Sequence, residues 1–594
     1  MLKFLKSYRL YFGAVIAVLL WRAVCVWQRW EADFGPVWWL LLLLPVLAAG
    51  GMWLCRRRGW ALLPPVWVLW GLSALAPLYA LCNIDAYRYG GLLMPVSMFL
   101  AAGIMCLLWA LLRYGALVLW LPFLFFQIVQ FASYEQYGTR INSLVLAETM
   151  EASRDELATY ITGNNLLMLI GVVLAICLLG AAQALLLRKQ RFMSLLNAGF
   201  VFCFAAALLA SVAPEDKRVR DTWWPVFPAG DLWMAMYEAF YHNQATVACV
   251  EGLSSPAEKP TGISTLTGGE GVVLILHVGE SVRADRVSFN GYERDTTPWL
   301  RRQSGIISFT DCISAAHDTC QAQIAILTDA RRNISGKELG MQPNTGSVLD
   351  LFKANGFKVY SFFGRLAAQQ LKYDRVVRLL TRCSEARFNA PGSPWTSVPQ
   401  MSEVLRSVGR EENLVFFINN EGSHTPFEHY DRENPPFAPA VHRFENPSAQ
   451  AEGVNNAYDN TVHYTDEFVR RVCHELQGRP FVYVYVSDHG EYLGHDGMWG
   501  RAALGEGKVR YHDTSGSRVA MFVLCSPGFE EVHPHFAASL AKLREHADMT
   551  VGHEHIFHTV LGMFGISSPY YKPELDLSSE QAQPYSGRKP APVP

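Results

Sequence analysis

Residues 481–491 read FVYVYVSDHGE, in which six apolar residues lead directly into a short polar segment. A nearly continuous run of β-branched and aromatic residues predicts a strand buried on both faces, as in a parallel sheet covered by helices. The polar segment, Ser487-Asp488-His489-Gly490-Glu491, begins where that strand ends. Ligands of open α/β sheets bind outside the carboxyl ends of the strands, so this segment predicts a functional site.

Four similar runs alternate with helical patterns along the second half of the chain: residues 272–277, 357–362, 414–418 and 519–524. This alternation predicts an α/β domain with a mostly parallel sheet flanked by helices. Two of these runs also lead into polar residues, since Gly279-Glu280-Ser281 follows the first and residues 419–424 follow the third. Because carboxyl ends of parallel strands meet at one edge, we expect the three polar segments to converge.

The polar segments contain a set of residues typical of a catalytic metal site. Glu280, Asp488 and His489 offer two carboxylates and an imidazole. This combination suits zinc or manganese and leaves a position open for a substrate.

A nucleophile is also available, because residues 314–322 contain Ser314, Thr319 and Cys320. A hydroxyl is a weak nucleophile until a metal or a base takes its proton. The residue types alone do not choose among the three.

The first third of the chain has a different character. The protein has 594 residues, of which 51% are hydrophobic, and a formal net charge of −2, which gives no indication of a nucleic-acid partner. Seven apolar stretches each approach the roughly 20 residues that a membrane-spanning helix needs. They are residues 11–28, 36–55, 61–82, 91–112, 115–133, 165–187 and 194–213.

Positive charges in the short loops predict the orientation of these spans. The loops with Arg56-Arg57-Arg58, Arg113 and residues 188–191 all fall on the cytoplasmic side if the N-terminus does. An odd number of spans, seven or five, then places everything after about residue 214 outside the cytoplasm. The polar loop 134–164 lies on the same side, and the aromatic-rich segment 222–243 is typical of an interfacial helix.

At this point the chain resembles a known family. Residues 279–298, which begin Gly-Glu-Ser-Val-Arg-Ala-Asp-Arg and end Asn-Gly-Tyr-Glu-Arg-Asp-Thr-Thr-Pro, are similar to the signature of bacterial phosphoethanolamine transferases. These are membrane-anchored members of the alkaline phosphatase and sulfatase superfamily. The resemblance continues at residues 422–426, 456–461 and 487–491 and covers the whole second half of the chain.

The resemblance implies roles for individual residues. Glu280, Asp488 and His489 would bind zinc, with manganese as a second possibility. Thr319, 39 residues after Glu280, would be the nucleophile and a fourth ligand. His424 would contact the phosphate or a second metal ion.

The implied reaction has two steps. Thr319 attacks phosphatidylethanolamine and releases diacylglycerol, and an envelope acceptor then takes the phosphoethanolamine. Lipid A or a core sugar of lipopolysaccharide is the implied acceptor.

Some features of the family pattern are missing. Ala315 and Ala325 stand where cysteines usually bracket the threonine, and the usual histidine after the Asp-His segment is absent. Replacements or further substrate contacts carried over by position are His495, Arg501, His512, Lys372, Thr149 and Glu151.

The resulting organisation has four parts. We expect residues 1–213 to form a multi-span domain of about seven helices in the bacterial inner membrane, and residues 214–268 to form an interfacial helix and linker. Residues 269–580 form a periplasmic catalytic domain, and residues 581–594 a disordered tail. Cys312 and Cys320 are close enough in sequence to form a disulfide, but sequence alone does not settle the pairing.

Three alternatives remain at this stage. A sulfatase would share the Asp-His segment, but the residues from Cys320 lack the arginine of the sulfatase modification motif. A glycerol-phosphate transferase would use the same threonine and metal with phosphatidylglycerol as donor. A non-enzymatic membrane sensor with a degenerate enzyme fold is the third.

Overall fold

The computed structural model describes much of the second half of the chain. The described residues are 271–316, 319–329, 347–364, 377–378, 380–389, 394–428, 431, 433–442, 450–494, 499–500, 517–566 and 568–585. The seven apolar stretches, the loop 134–164 and the linker 214–268 lie outside them. Among the helices in the described part of the chain, none is both long and apolar enough to cross a membrane.

The described residues contain twelve strands. They are β1 (Val273–Gly279), β2 (Ile306–Ser308), β3 (Cys312–Ile313), β4 (Lys358–Phe363), β5 (Ala386–Asn389), β6 (Leu414–Asn419), β7 (Phe481–Ser487), β8 (Tyr492–Leu493), β9 (Trp499–Gly500), β10 (Arg518–Val519), β11 (Met521–Cys525) and β12 (Val551–Gly552).

Seven of these strands form one mixed sheet in the order β2-β11-β7-β1-β6-β4-β5. The five from β7 to β5 run parallel. Four of them, β7, β1, β6 and β4, come from the apolar runs, whereas β5 lies outside those runs. The run at 519–524 forms a strand too, but β11 is antiparallel to both β7 and β2. The sheet is therefore parallel at its centre and antiparallel at one edge, because an apolar run indicates burial and not strand direction.

Helices cover both faces of this sheet. They are α1 (Thr319–Leu327), α2 (Val348–Ala354), α3 (Ser397–Ser407), α4 (Ala451–Glu475), α5 (Phe529–Val532), α6 (Ala537–Glu545) and α7 (Glu554–Met563). Short 3-10 helices lie at Ala284–Arg286, Ser288–Asn290, Leu300–Arg302, Pro394–Thr396, Pro534–Phe536 and Pro573–Leu575.

The hydrophobic core has two halves, one on each face of the sheet. Leu274 and Leu276 of β1 pack into the half that includes α1, α2, α6 and α7, whereas Val273 and Ile275 face α3 and α4. This is the alternation of side chains expected along a strand. Each fully buried aliphatic side chain contributes about 1.5–3 kcal/mol to folding, so the central strands are the most strongly held.

The boundary of the C-terminal tail differs from the prediction of residue 581. The backbone N–H of Gln583 donates to the Glu574 carbonyl, and that of Tyr585 donates to the Thr550 carbonyl. The Tyr585 ring also lies against Gly552, leaving no room for a Cβ there. The ordered domain therefore extends to Tyr585, because these bonds attach the segment to its surface. Cys312 and Cys320 are both buried, and no disulfide joins them.

The pairing of β1 with β7 determines where the polar residues meet. Gly279 is opposite Ser487 in this parallel pair, so Glu280 and Asp488 follow at equivalent positions on neighbouring strands. The Asp488 N–H donates to the Gly279 carbonyl at 3.0 Å and continues the pairing by one step. Gly279 is required here because a Cβ would lie only 2.1 Å from the Tyr485 hydroxyl.

Candidate active site

Three buried side chains from the ends of β1 and β7 form a compact group that could hold a metal ion. Glu280, Asp488 and His489 each offer one ligand atom, and these atoms lie within 4.8 Å of one another. His489 Nε2 is 3.4 Å from both Glu280 Oε1 and Asp488 Oδ2. Two carboxylates and an imidazole in this arrangement suit a divalent cation, which would neutralise the buried negative charge. We refer to these residues as the ligand trio.

The hydroxyl of Thr319 lies next to the ligand trio. Thr319 Oγ1 donates to Glu280 Oε2 at 3.2 Å and is 3.4 Å from His489 Nε2. Thr319 is the first residue of α1, where the backbone N–H groups have no partner within the helix and attract anions.

The other two candidate nucleophiles face elsewhere. Cys320 packs into the hydrophobic core, and the Ser314 hydroxyl donates to the carbonyl of Asp488. Among the three, the geometry favours Thr319.

The imidazole of His489 has a preferred orientation. Its Nδ1 lies 3.1 Å from the Gly490 carbonyl oxygen, to which an Nδ1–H donates. A neutral ring in this tautomer presents the lone pair of Nε2 to the oxygens of Glu280, Asp488 and Thr319. This is the protonation state that a histidine metal ligand requires.

Ser281 connects all three members of the ligand trio. Its N–H donates to Asp488 Oδ1 at 2.9 Å, and its hydroxyl donates to Glu280 Oε1 at 2.9 Å. The same hydroxyl is 3.4 Å from His489 Nδ1. The backbone of Ser281 has φ of 60°, a left-handed conformation that costs a non-glycine residue about 1–2 kcal/mol. Such local strain is typical of functional sites.

Several contacts hold Ser281 in this conformation. The Tyr458 hydroxyl donates to the Ser281 carbonyl at 2.6 Å and accepts from the Arg283 N–H at 3.0 Å. On the other side, the Ser423 N–H donates to the Glu280 carbonyl at 2.9 Å. Gly422 allows this approach because a Cβ would lie 2.9 Å from the same oxygen. Helix α4 and the loop after β6 therefore support the turn that carries Glu280.

Residues whose roles the sequence did not reveal complete the surroundings of the site. Glu491 is fully buried, and its Oε1 lies 3.4 Å from the Thr425 hydroxyl and 3.5 Å from that of Ser281. Both Ser281 and Glu491 stand within segments that the sequence singles out. Their roles depend on the left-handed turn, for which the sequence carries no distinct signal.

The segment 286–294, which contains Arg286 and Arg294, has a structural role. Arg286 and Arg294 form ion pairs with Asp459 of α4 at 3.3 and 2.6 Å, and the Tyr292 hydroxyl donates to the same carboxylate at 3.0 Å. Burial raises the pKa of the Asp459 carboxyl, while the two arginines oppose that shift. This group ties the segment after Glu280 to α4.

The remaining predicted site residues divide into two groups. His424 lies in the loop that packs on Glu280, is partly exposed, and directs its Nδ1 to the carbonyl of Thr425. The structure does not include it in the ligand trio. The others lie outside the described residues: Thr149, Glu151, Lys372, His495, Arg501 and His512.

Residues 272–566 match the model of the sulfatase family. The chain carries a sulfatase-family domain.

The names of its curated relatives confirm the resemblance to phosphoethanolamine transferases. The chain is 27% identical over 240 residues to phosphatidylethanolamine transferase Mcr-1 of Escherichia coli, covering 38% of this chain and 44% of that protein. It is 24% identical over 502 residues to phosphoethanolamine transferase EptA of Helicobacter pylori, covering 81% of this chain and 87% of that protein. The match to Mcr-1 thus spans less than half of that relative's length.

Most of the chain also resembles a solved structure. The integral membrane lipooligosaccharide phosphoethanolamine transferase A of Neisseria meningitidis superposes with a TM-score of 0.62 at 21% identity. The superposition covers 86% of this chain and 98% of that protein. At this level of identity the likeness concerns the fold.

Removing the Ser281 hydroxyl is expected to weaken metal binding by about 10–100-fold, the usual effect of losing a residue that orients metal ligands. We expect this loss in both Ser281→Ala and Ser281→Gly, because both lack the bond to Glu280. The glycine variant should unfold at the higher temperature, since it adopts a φ of 60° without strain. Competition with a chelator measures the affinity. Affinity close to wild type in both variants would contradict this role.

Proposed function

We propose that the protein transfers phosphoethanolamine from phosphatidylethanolamine to lipid A or a core sugar of lipopolysaccharide. The observation that carries this proposal is the position of the Thr319 hydroxyl, 3.2 Å from Glu280 and 3.4 Å from His489. A hydroxyl beside a ligand trio is the arrangement needed for a covalent phosphothreonine intermediate. The names of the curated relatives support the choice of donor and acceptor.

The proposed cofactor is zinc. In a tetrahedral site with bonds of about 2.0–2.2 Å, neighbouring ligand atoms are about 3.3–3.6 Å apart. Four separations among these residues fall close to that range, at 3.2–3.4 Å: Thr319 to Glu280 Oε2, Thr319 to His489, and His489 to Glu280 Oε1 and to Asp488. When bound, the metal would lower the pKa of a hydroxyl and polarise a phosphoryl oxygen. Manganese is compatible with the same residues, although it prefers more oxygen ligands.

The residues of the chain would carry the reaction in two displacements. Thr319 Oγ1 attacks the phosphorus of phosphatidylethanolamine while its proton moves towards Glu280 Oε2, and the bond to the diacylglycerol oxygen breaks. The proton that Thr319 released passes on to that oxygen, which leaves as diacylglycerol. An acceptor hydroxyl then attacks the phosphothreonine, the bond between phosphorus and Thr319 Oγ1 breaks, and the proton of the acceptor hydroxyl passes to Oγ1. The N-terminus of α1 would stabilise the negative charge on the phosphoryl group in both steps.

We also propose the surroundings that this reaction requires. Residues 1–213 would anchor the protein in the bacterial inner membrane, and residues 214–268 would hold the sulfatase-family domain at the periplasmic surface beside its lipid donor. His424, in the loop next to Glu280, is the described residue proposed to contact the substrate. Lys372, His495, Arg501, His512, Thr149 and Glu151 remain predictions for further contacts.

Purified full-length protein given fluorescent phospholipids tests the donor. We expect fluorescent diacylglycerol from phosphatidylethanolamine and none from phosphatidylglycerol, with release faster when lipid A is present. Lipopolysaccharide from cells that express the protein should gain the mass of phosphoethanolamine. Turnover of phosphatidylglycerol instead would replace the proposal with a glycerol-phosphate transferase, and turnover of neither lipid would refute it.

A further inference from the structure

The loop that leads to Thr319 begins beside an unassigned histidine. Strands β3 and β12 are parallel neighbours in a small sheet, with Ile313 opposite Gly552. The next residues along the two strands are Ser314 and His553, so they leave the sheet side by side. The His553 N–H donates to the Ile313 carbonyl at 3.2 Å.

The His553 ring bridges this loop to the strand that carries two of the metal ligands. Its Nδ1 accepts from the Ala315 N–H at 3.3 Å, and its Nε2 donates to the Ser487 carbonyl at 3.0 Å. Ser487 directly precedes Asp488, and Ala315 lies four residues before Thr319. His553 is only 1% exposed.

These two contacts determine which nitrogen of the His553 ring carries the proton. A carbonyl needs a donor at Nε2 and an amide N–H needs an acceptor at Nδ1, which together specify one neutral tautomer. Burial lowers the pKa of His553 to about 4, so the ring stays neutral at physiological pH. A neutral ring bonded to two backbone groups is suited to holding segments together rather than to exchanging protons.

A second bond joins the same two segments. The Ser314 hydroxyl lies 2.5 Å from the carbonyl oxygens of both Asp488 and Ala316 and donates its one hydrogen between them, and the Ser314 N–H donates to the Ser517 carbonyl at 2.7 Å. The loop is therefore attached on one side to β7 and on the other to the small sheet.

We propose that His553 is a positioning residue that holds the loop before Thr319 against the end of β7, and so sets the distance between the Thr319 hydroxyl and the ligand trio. This inference rests on the proposed function, because it assumes that Thr319 is the nucleophile. His553 has no direct role in binding the metal, and its action on catalysis passes through the loop. A displacement of the nucleophile by about 1 Å can lower a rate about 100-fold.

Leucine and asparagine provide a matched pair of replacements for His553, because they have nearly the same shape. The asparagine Oδ1 stands near the former Nδ1 and can accept from the Ala315 N–H, whereas leucine cannot. We expect His553→Leu to lower kcat for diacylglycerol release about 10–100-fold with little change in KM or zinc affinity. His553→Asn should recover part of the loss. The pH profile of kcat should keep its shape in both variants, since a neutral ring supplies no titrating group.

Hydrogen exchange tests the attachment without relying on activity. The amides of residues 314–316 should exchange faster in full-length His553→Leu than in His553→Asn or the wild type. If His553→Leu does not fold, Ser314→Ala is the second variant, because it removes the hydroxyl that contacts Asp488 and Ala316 and keeps the backbone bond to Ser517. It should lower kcat about three- to tenfold with intact zinc binding.

Other outcomes separate the two proposals. A folded His553→Leu protein with wild-type kcat and wild-type exchange would overturn the positioning role. A His553→Leu protein that loses zinc affinity in proportion to its activity would also overturn this role, because His553 would then act on the ligand trio and not on the loop. A wild-type protein that releases no diacylglycerol from any phospholipid would instead refute the proposed function, and the exchange measurement would still decide whether His553 holds the loop.

Discussion

Thr319→Ala should lower diacylglycerol release from phosphatidylethanolamine by about a thousandfold or more, since it removes the hydroxyl beside Glu280 Oε2 and His489 Nε2. The Ser281 hydroxyl does not replace it, because it donates to Glu280 Oε1 and lies on the Nδ1 side of His489. Zinc affinity should fall far less, because the ligand trio remains. Thr319→Ser keeps the hydroxyl and should retain a substantial part of the rate. Mass spectrometry should detect a phosphoethanolamine adduct on residue 319 in wild type and none in the alanine variant.

The neighbouring residue supplies a control for this experiment. Cys320 is 2% exposed and packs into the core, so Cys320→Ala changes the same helix without touching the site. We expect it to lower stability modestly and to keep kcat near wild type. An equal loss of activity in Cys320→Ala and Thr319→Ala would indicate that α1 is disturbed as a whole, and that Thr319 is not the nucleophile.

Asp488→Asn should reduce zinc affinity by at least about 100-fold, and activity should fall with it. Asparagine has the same shape, and its oxygen can still accept from the N–H groups of Ser281 and His489. The change therefore removes a charge and leaves the turn intact. The metal content after dialysis against a chelator, with the activity regained at high zinc concentration, measures the effect.

A second buried aspartate makes a matched control for the loss of charge. Asp466 of α4 accepts from the N–H groups of Trp299 and Leu300, and burial raises its pKa to about 6. Asp466→Asn should alter stability and leave the zinc content unchanged. Normal zinc retention by Asp488→Asn would mean that the trio does not hold the metal.

The sequence predicts the centre of this fold well. Each of the five apolar runs forms a strand, because burial on both faces leaves a continuous apolar run. The convergence of Glu280 with Asp488 follows from the same pattern, since parallel neighbours in register deliver their next residues to one place. The antiparallel direction of β11 could not be predicted from its apolar run. The two-residue strands β3 and β12 are too short to give any periodic signal.

The choice of nucleophile required the structure for a different reason. Ser314, Thr319 and Cys320 are equivalent in sequence, and their positions in the fold separate them. Ser314 lies in the loop after β3, where its hydroxyl contacts backbone carbonyls. Successive residues of a helix point about 100° apart, so Thr319 faces the ligand trio while Cys320 faces the core. The role of Ser281 was hidden in a similar way, because it arises from a single backbone angle. Predictions for residues such as Lys372 and Arg501 lie outside the described residues and stay predictions.

The ligand trio and Thr319 are supported by different parts of the molecule. Glu280, Asp488 and His489 leave the two innermost strands of the large sheet, whereas the threonine follows a loop that starts from a peripheral three-stranded sheet. In the proposed mechanism, a local opening of the small sheet would move Thr319 away from the bound metal ion while the ligand trio still held that ion. The metal content of a preparation would therefore overestimate its fraction of active molecules. Measuring how much Thr319 can be converted to phosphothreonine would give that fraction directly.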